Sequence, residues 1–201
     1  DLGKIRAEFY QLSGLLGGIP VVAANDANVA ALGEQWKGGG EGHQNVVMVT
    51  LGTGVGGGII VGGRILAGGH GAAGEIGHIQ MRKDETAVCG CGKKGCLETE
   101  ASGSAQHRIL LERIGKGESS ILSKRTIENP PTLDEIITAV NKEDLLCIEI
   151  VEEIGQKLGR QIAGLISIFN PELVIIGGTL SSTGDYIVQP IKTAIRKYSL
   201  N

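Results

Sequence analysis

Aromatic side chains are scarce: two Phe, three Tyr and one Trp make up 3% of the 201 residues. Base-stacking platforms for single-stranded nucleic acid are therefore poorly supplied. Basic excess is lacking too, since 19 Lys and Arg face 22 Asp and Glu for a formal net charge of −3. A sequence-independent grip on DNA phosphates needs far more positive charge than that. Nucleic acid is not an expected partner of this segment. No apolar run approaches the roughly 18 residues that cross a bilayer, and no basic-then-apolar leader opens the chain, so no membrane partner and a cytoplasmic location are expected.

Cysteine is also sparse. Three of the four stand within the short stretch from Cys89 to Cys96, which argues against a disulfide framework and toward a metal site. Glycine is the opposite case, with 33 residues concentrated between Gly38 and Gly103. That region must contain turns and close backbone approaches. With 41% hydrophobic residues, the chain can bury one core or two small lobes.

The apolar run from Ile19 to Ala24, stopping at Asn25-Asp26 before a helical stretch to Lys37, predicts strand, turn and helix. Val46 to Leu51, the glycine-rich stretch 52–58, Ile59 to Val61 and Arg64 to Leu66 predict two or three antiparallel strands. Residues 68–95 lack periodicity and read as an irregular knob. Thr132 and Glu135 form a capping-box pattern, apolar residues recur at helical spacing from Leu145 to Phe169, and Asn170-Pro171 should stop that helix. A strand over 173–176 and a helix over 187–198 complete an interleaved α/β pattern.

Four constellations carry chemistry. His78 with Cys89, Cys91 and Cys96 supplies four soft or borderline ligands, which suits a closed tetrahedral zinc site of structural kind; free buried thiols beside a surface histidine are the bland alternative. Gly52, Thr53 and Gly54 stand in a strand-turn-strand whose N–H groups and hydroxyl could cradle phosphate, although a tight hairpin would use the same glycines. Asn25 and Asp26 sit at a helix entry, where Asp26 could accept a proton from a substrate hydroxyl and either residue could simply cap the helix. Glu75 and His78 set a carboxylate and an imidazole together beside the cysteines, which suits a polyhydroxylated ligand. Solvated surface charge is the alternative for Glu75 and Glu98.

In this order, Asn-Asp-Ala-Asn (25–28), Leu-Gly-Thr-Gly-Val-Gly-Gly-Gly (51–58), Gly-Ala-Ala-Gly-Glu-Ile-Gly-His (71–78), Cys-Gly-Cys-Gly-Lys-Lys-Gly-Cys-Leu-Glu (89–98) and Ile-Ile-Gly-Gly (175–178) resemble the ROK family of sugar kinases and repressors. The resemblance implies an actin-like ATPase (ribonuclease H-like) α/β fold, mainly the larger lobe, with a zinc-stapled irregular insertion at about 75–98. It implies a hexose kinase, glucose by default, using ATP with Mg2+ and structural Zn2+, and a homodimer.

Asp26 resembles the family's catalytic base, while Asn25, Asp26, Glu75, His78 and Glu98 resemble the sugar contacts. Gly52, Thr53, Gly54, Gly177 and Gly178 resemble the nucleotide contacts. Residues 1–24 read as a remnant of an N-terminal lobe, 25–201 as the core, and Asp1-Leu2-Gly3 as a shortened phosphate motif, with the family's C-terminal stretch also absent. The alternative from the same resemblance is the sugar-binding effector domain of a repressor without kinase activity, in which DNA would be contacted only by an upstream helix-turn-helix.

Overall fold

The computed structural model describes residues 10–21, 23–81 and 87–200. The segment read as a shortened phosphate motif, Asp1 to Arg6, lies outside them. After a helical stretch over residues 10–15, the regular elements run α1 (Asp26–Lys37), β1 (Val46–Leu51), β2 (Val55–Val61), β3 (Arg64–Ile65), α2 (Leu97–Ala101), α3 (Gly103–Gly115), α4 (Leu133–Asn141), α5 (Leu145–Phe169), β4 (Leu173–Gly177) and α6 (Asp185–Tyr198). The sheet is mixed, in the order β3-β2-β1-β4. Strand β1 pairs antiparallel with β2 and parallel with β4.

The alternation of β1 divides the interior. Val47, Val49 and Leu51 face the main core, built with α5, α6 and the shorter helices, whereas Val46 and Met48 face a smaller cluster with Ala31 of α1. The long helix α5 is specified as its periodicity predicts. Leu146, Ile150, Ile154, Leu158 and Ile162 are buried at four-residue spacings, and Asp144 caps its start by accepting from Cys147 N at 2.9 Å. Asn170 ends it in the left-handed conformation at φ 42°, one residue before Pro171. The capping box at α4 forms as its sequence predicts, with Thr132 and Glu135 bonding reciprocally.

The stretch 19–24 differs from the strand its composition predicts: the described residues 19–21 and 23–24 form none. Among the described residues no strand lies alongside to pair with it. Pro20 has no N–H to give to a ladder, and Ile19 is 61% exposed. Apolar composition without a neighbouring edge does not make a strand.

The glycines of β2 are explained by what presses on them. A Cβ on Gly58 would lie 2.5 Å from Ala31 Cβ and one on Gly56 3.0 Å from Ala27 Cβ, so α1 lies directly on the strand. On the opposite face, a Cβ on Gly57 would meet Gly74 O at 2.5 Å, where the segment carrying Glu75 docks. Gly58→Val is expected to push α1 off β2 at a cost of about 2–3 kcal/mol. Chemical denaturation checks this, and an unchanged midpoint would show that the contact tolerates side-chain volume.

Candidate functional site

Helix α1 begins where the chain leaves 23–24, and Asn25 is its N-cap, accepting from Asn28 N at 3.1 Å. Capping therefore falls to Asn25. Asp26, already helical and exposed, uses only Oδ1 locally, accepting from Ala27 N at 2.8 Å. Its second carboxylate oxygen has no partner among the described residues.

A cavity of about 450 Å3 is lined by Asn25, Asp26, Gly52, Thr53, Gly54, Glu75, His78, Glu98 and Gly178. Residues from five separate stretches of sequence thus meet in one cleft. Gly177 does not join them. It ends β4, and a Cβ there would lie 2.9 Å from Met48 Cε, so its smallness serves packing. Gly178, at φ 85°, does face the cleft, pressed so closely on β1 that a Cβ would fall 2.6 Å from Leu51 N and O. Thr50 and Thr179 also line it and were not singled out by the sequence. Strand alternation would have put Thr50 on the α1 face. Nothing in the sequence marks Thr179 beyond its place next to Gly178.

The turn between β1 and β2 is anchored from below. Gly103 N donates to Gly52 O at 2.8 Å, and Ser104 reaches Thr53 O through both its N–H (3.2 Å) and its hydroxyl (2.8 Å). Among the described residues, the N–H groups of Thr53 and Gly54 find no acceptor. A turn with its carbonyls tied and its N–H groups free suits an anion.

Glu75 precedes a short 3-10 turn, Ile76–His78, but its carboxylate makes no capping bond. Its Oε2 lies 3.9 Å from His78 Nε2, too long for a hydrogen bond and close enough for one ligand hydroxyl to touch both. Glu98, on α2, is half-buried, accepting from Val55 N at 3.2 Å with Oε2 and from the Cys89 thiol at 3.4 Å with Oε1. It is not a solvated surface charge. It joins the glycine turn to the cysteine knob.

The other ring nitrogen of His78 points into that knob. Nδ1 lies 3.4 Å from Cys89 Sγ, and Cys91 Sγ lies 3.7 Å from Cys96 Sγ. All four ligand atoms fall within 4.8 Å of one another. A tetrahedral ion with bonds of about 2.3 Å to sulfur and 2.0 Å to nitrogen would hold S–S and S–N pairs about 3.8 and 3.5 Å apart, so the two shortest of these separations fit such an ion. Burial pushes the Cys89 thiol up to about 12 and also raises Cys96, whereas Lys93 N–H bonding lowers Cys91. No helix among the described residues is long and apolar enough to cross a membrane.

The chain is an α/β protein with a mixed sheet, a cleft where a helix entry meets a glycine turn, and a flanking Cys/His knob, and comparison with known proteins gives the family. The ROK family profile matches residues 12–201, and the chain belongs to the ROK family. A glucokinase from Halalkalibacterium halodurans is 44% identical over 183 residues, covering 90% of this chain and 56% of that protein. A xylose repressor from Caldicellulosiruptor bescii is 34% identical over 182 residues, covering 90% and 45%.

Among solved structures, the ROK family glucokinase from Streptomyces griseus in complex with glucose and AMPPNP superposes with a TM-score of 0.84 at 34% identity, covering 96% of this chain and 62% of that one. A ROK family transcriptional regulator superposes with a TM-score of 0.83 at 37% identity, covering 91% and 45%. The chain thus spans about half the length of the curated relatives it matches.

Proposed function

We propose that this chain is the sugar- and nucleotide-binding core of an ATP-dependent hexose kinase of glucokinase type, with Asp26 as general base. The observation that carries the reading is the single cleft holding Asp26, Glu75, His78 and Glu98 together with the Gly52–Gly54 turn. Carboxylates and an imidazole accept and donate to sugar hydroxyls, while the free N–H groups of the turn suit phosphate oxygens.

In this reading Asn25, Glu75, His78 and Glu98 fix the sugar ring, and Asp26 takes the proton from the attacking hydroxyl through its unpartnered oxygen. Thr53, Gly54 and Gly178 hold the nucleotide. ATP with Mg2+, when bound, supplies the phosphoryl group, and the protein's part is positioning and charge neutralisation. His78, Cys89, Cys91 and Cys96 would hold a structural Zn2+, which would tie the knob together and take no part in the transfer, and with His78 Nδ1 turned to the cysteines its Nε2 would be free to donate to the sugar.

The repressor relatives support a second reading, a sugar-responsive effector domain using the same cleft. Calorimetric titration of glucose, N-acetylglucosamine and mannose, with and without Mg2+ and a non-hydrolysable ATP analogue, separates the two. Sugar binding tightened by the nucleotide is expected. Sugar binding with no nucleotide affinity would favour the repressor reading, and no sugar binding would sink both.

A further inference from the structure

A second cavity, of about 650 Å3, shares no lining residue with the cleft. It is a groove between α5 and α6. Gly155 approaches Ile187 and Pro190 while Gly159 approaches Ile191 and Ala194, so the two helices run in the same direction and residues late in α6 stand beside the middle of α5. Helix α2 separates the two cavities. Glu98 and Glu100, two positions apart and about 200° around the helix, line the cleft and the groove respectively.

The charges in this groove are sorted. Glu100, 5% exposed, is neutralised by Lys157 Nζ at 2.7 Å. Arg160 and Lys197 contact no carboxylate among the described residues, and both lie over the Tyr198 ring, at 5.4 and 5.3 Å from its centroid. Glu152 lies two helical turns before Arg160, about 12 Å along α5, with neutral Gln156 and Thr193 also lining the groove. One end is therefore cationic, and the remainder offers amides, a hydroxyl and a carboxylate. Lys197 also suits the helix dipole in the last turn of α6, but Arg160, in the body of α5, has no such reason to be there.

We propose that this groove binds a phosphorylated sugar, with its phosphate against Arg160 and Lys197 and its hydroxyls toward Gln156, Thr193 and Glu152. A phosphate dianion answers two cations that no protein carboxylate satisfies, and Glu152 at the far end accepts hydroxyls but repels a second anionic group. The cavity volume falls within the range of metabolite sites. The proposal does not depend on what the cleft binds.

The test is titration of glucose 6-phosphate into the chain in excess glucose, followed by calorimetry and by amide shifts of Gln156, Arg160, Thr193 and Lys197, with inorganic phosphate as a separate arm. Glucose 6-phosphate should shift these amides and bind at least tenfold tighter than inorganic phosphate. The exposed pair Arg160→Ala with Lys197→Ala should weaken it tenfold or more, and raised salt should weaken it in the unsubstituted chain. Asp26→Asn should leave it within about twofold. Equal affinity for inorganic phosphate, unmoved groove amides, or loss with Asp26→Asn but not with the Arg160 and Lys197 changes would overturn the proposal.

Discussion

In the protein that carries this chain, Asp26→Asn is expected to lower the phosphoryl-transfer rate by about 10²- to 10⁴-fold, the usual contribution of a positioned general base, while leaving sugar affinity within about threefold. The separation follows from what each oxygen of Asp26 does. Oδ1 accepts from Ala27 N at the start of α1, and the asparagine carbonyl can make the same bond, so the helix entry is retained. Asn25 remains the N-cap, so the turn does not depend on the substituted side chain. The second oxygen becomes an amide nitrogen, which donates where the reaction needs an acceptor.

Sugar hydroxyls still find Asn25, Glu75, His78 and Glu98 around the same cavity. Steady-state kinetics beside equilibrium sugar titration reads both quantities. A parallel loss of rate and affinity would make Asp26 a sugar-holding residue, and an unchanged rate would remove it from the chemistry altogether.

Much of this was legible in the sequence because the signals were local. The capping box at Thr132, the stop at Asn170-Pro171 and the apolar spacing of α5 each depend on residues a few positions apart, and each forms as read. What spacing could not supply was assembly. Gly56, Gly57 and Gly58 read equally well as hairpin turn residues, yet they lie within β2 and admit α1 on one face and the Glu75 segment on the other. Which of Asn25 and Asp26 caps the helix is decided only by the helix starting at Asp26.

Gly177 and Gly178 are adjacent and alike in sequence, but one fills a gap against Met48 and the other faces the cleft. The strand read over 19–24 failed for a related reason: its composition is local, whereas a strand requires a neighbour. Glu98, two residues beyond Cys96, could not be distinguished from surface charge without seeing the 3.2 Å bond to Val55 N.

Cys91→Ser is expected to release the proposed zinc and, through it, weaken the proposed sugar site by tenfold or more. Cys91 is the informative ligand because its side chain is exposed, so exchanging sulfur for oxygen disturbs little packing, whereas Cys89 and Cys96 are buried and their loss would mix cavity and metal effects. Among the described residues the knob has few other ties: isolated bridges between Gln80 and Cys96 and between Val88 and Lys94, and a handful of loop hydrogen bonds. With one of four ligands gone, the remaining affinity should not hold the ion against a mild chelator, and hydrogen exchange over 87–97 should accelerate.

The effect reaches the cleft by two routes. His78 would lose the bond that fixes its ring, and Cys89, a thiolate while it holds the ion, would regain its proton 3.4 Å from Glu98 Oε1, changing what that carboxylate faces beside the glycine turn. Metal analysis, exchange and sugar titration on one preparation distinguish the outcomes. Full zinc content in the variant would remove Cys91 from the ligand set. Zinc loss with undiminished sugar affinity would mean that the knob folds around His78 and Glu98 without needing the ion to orient them.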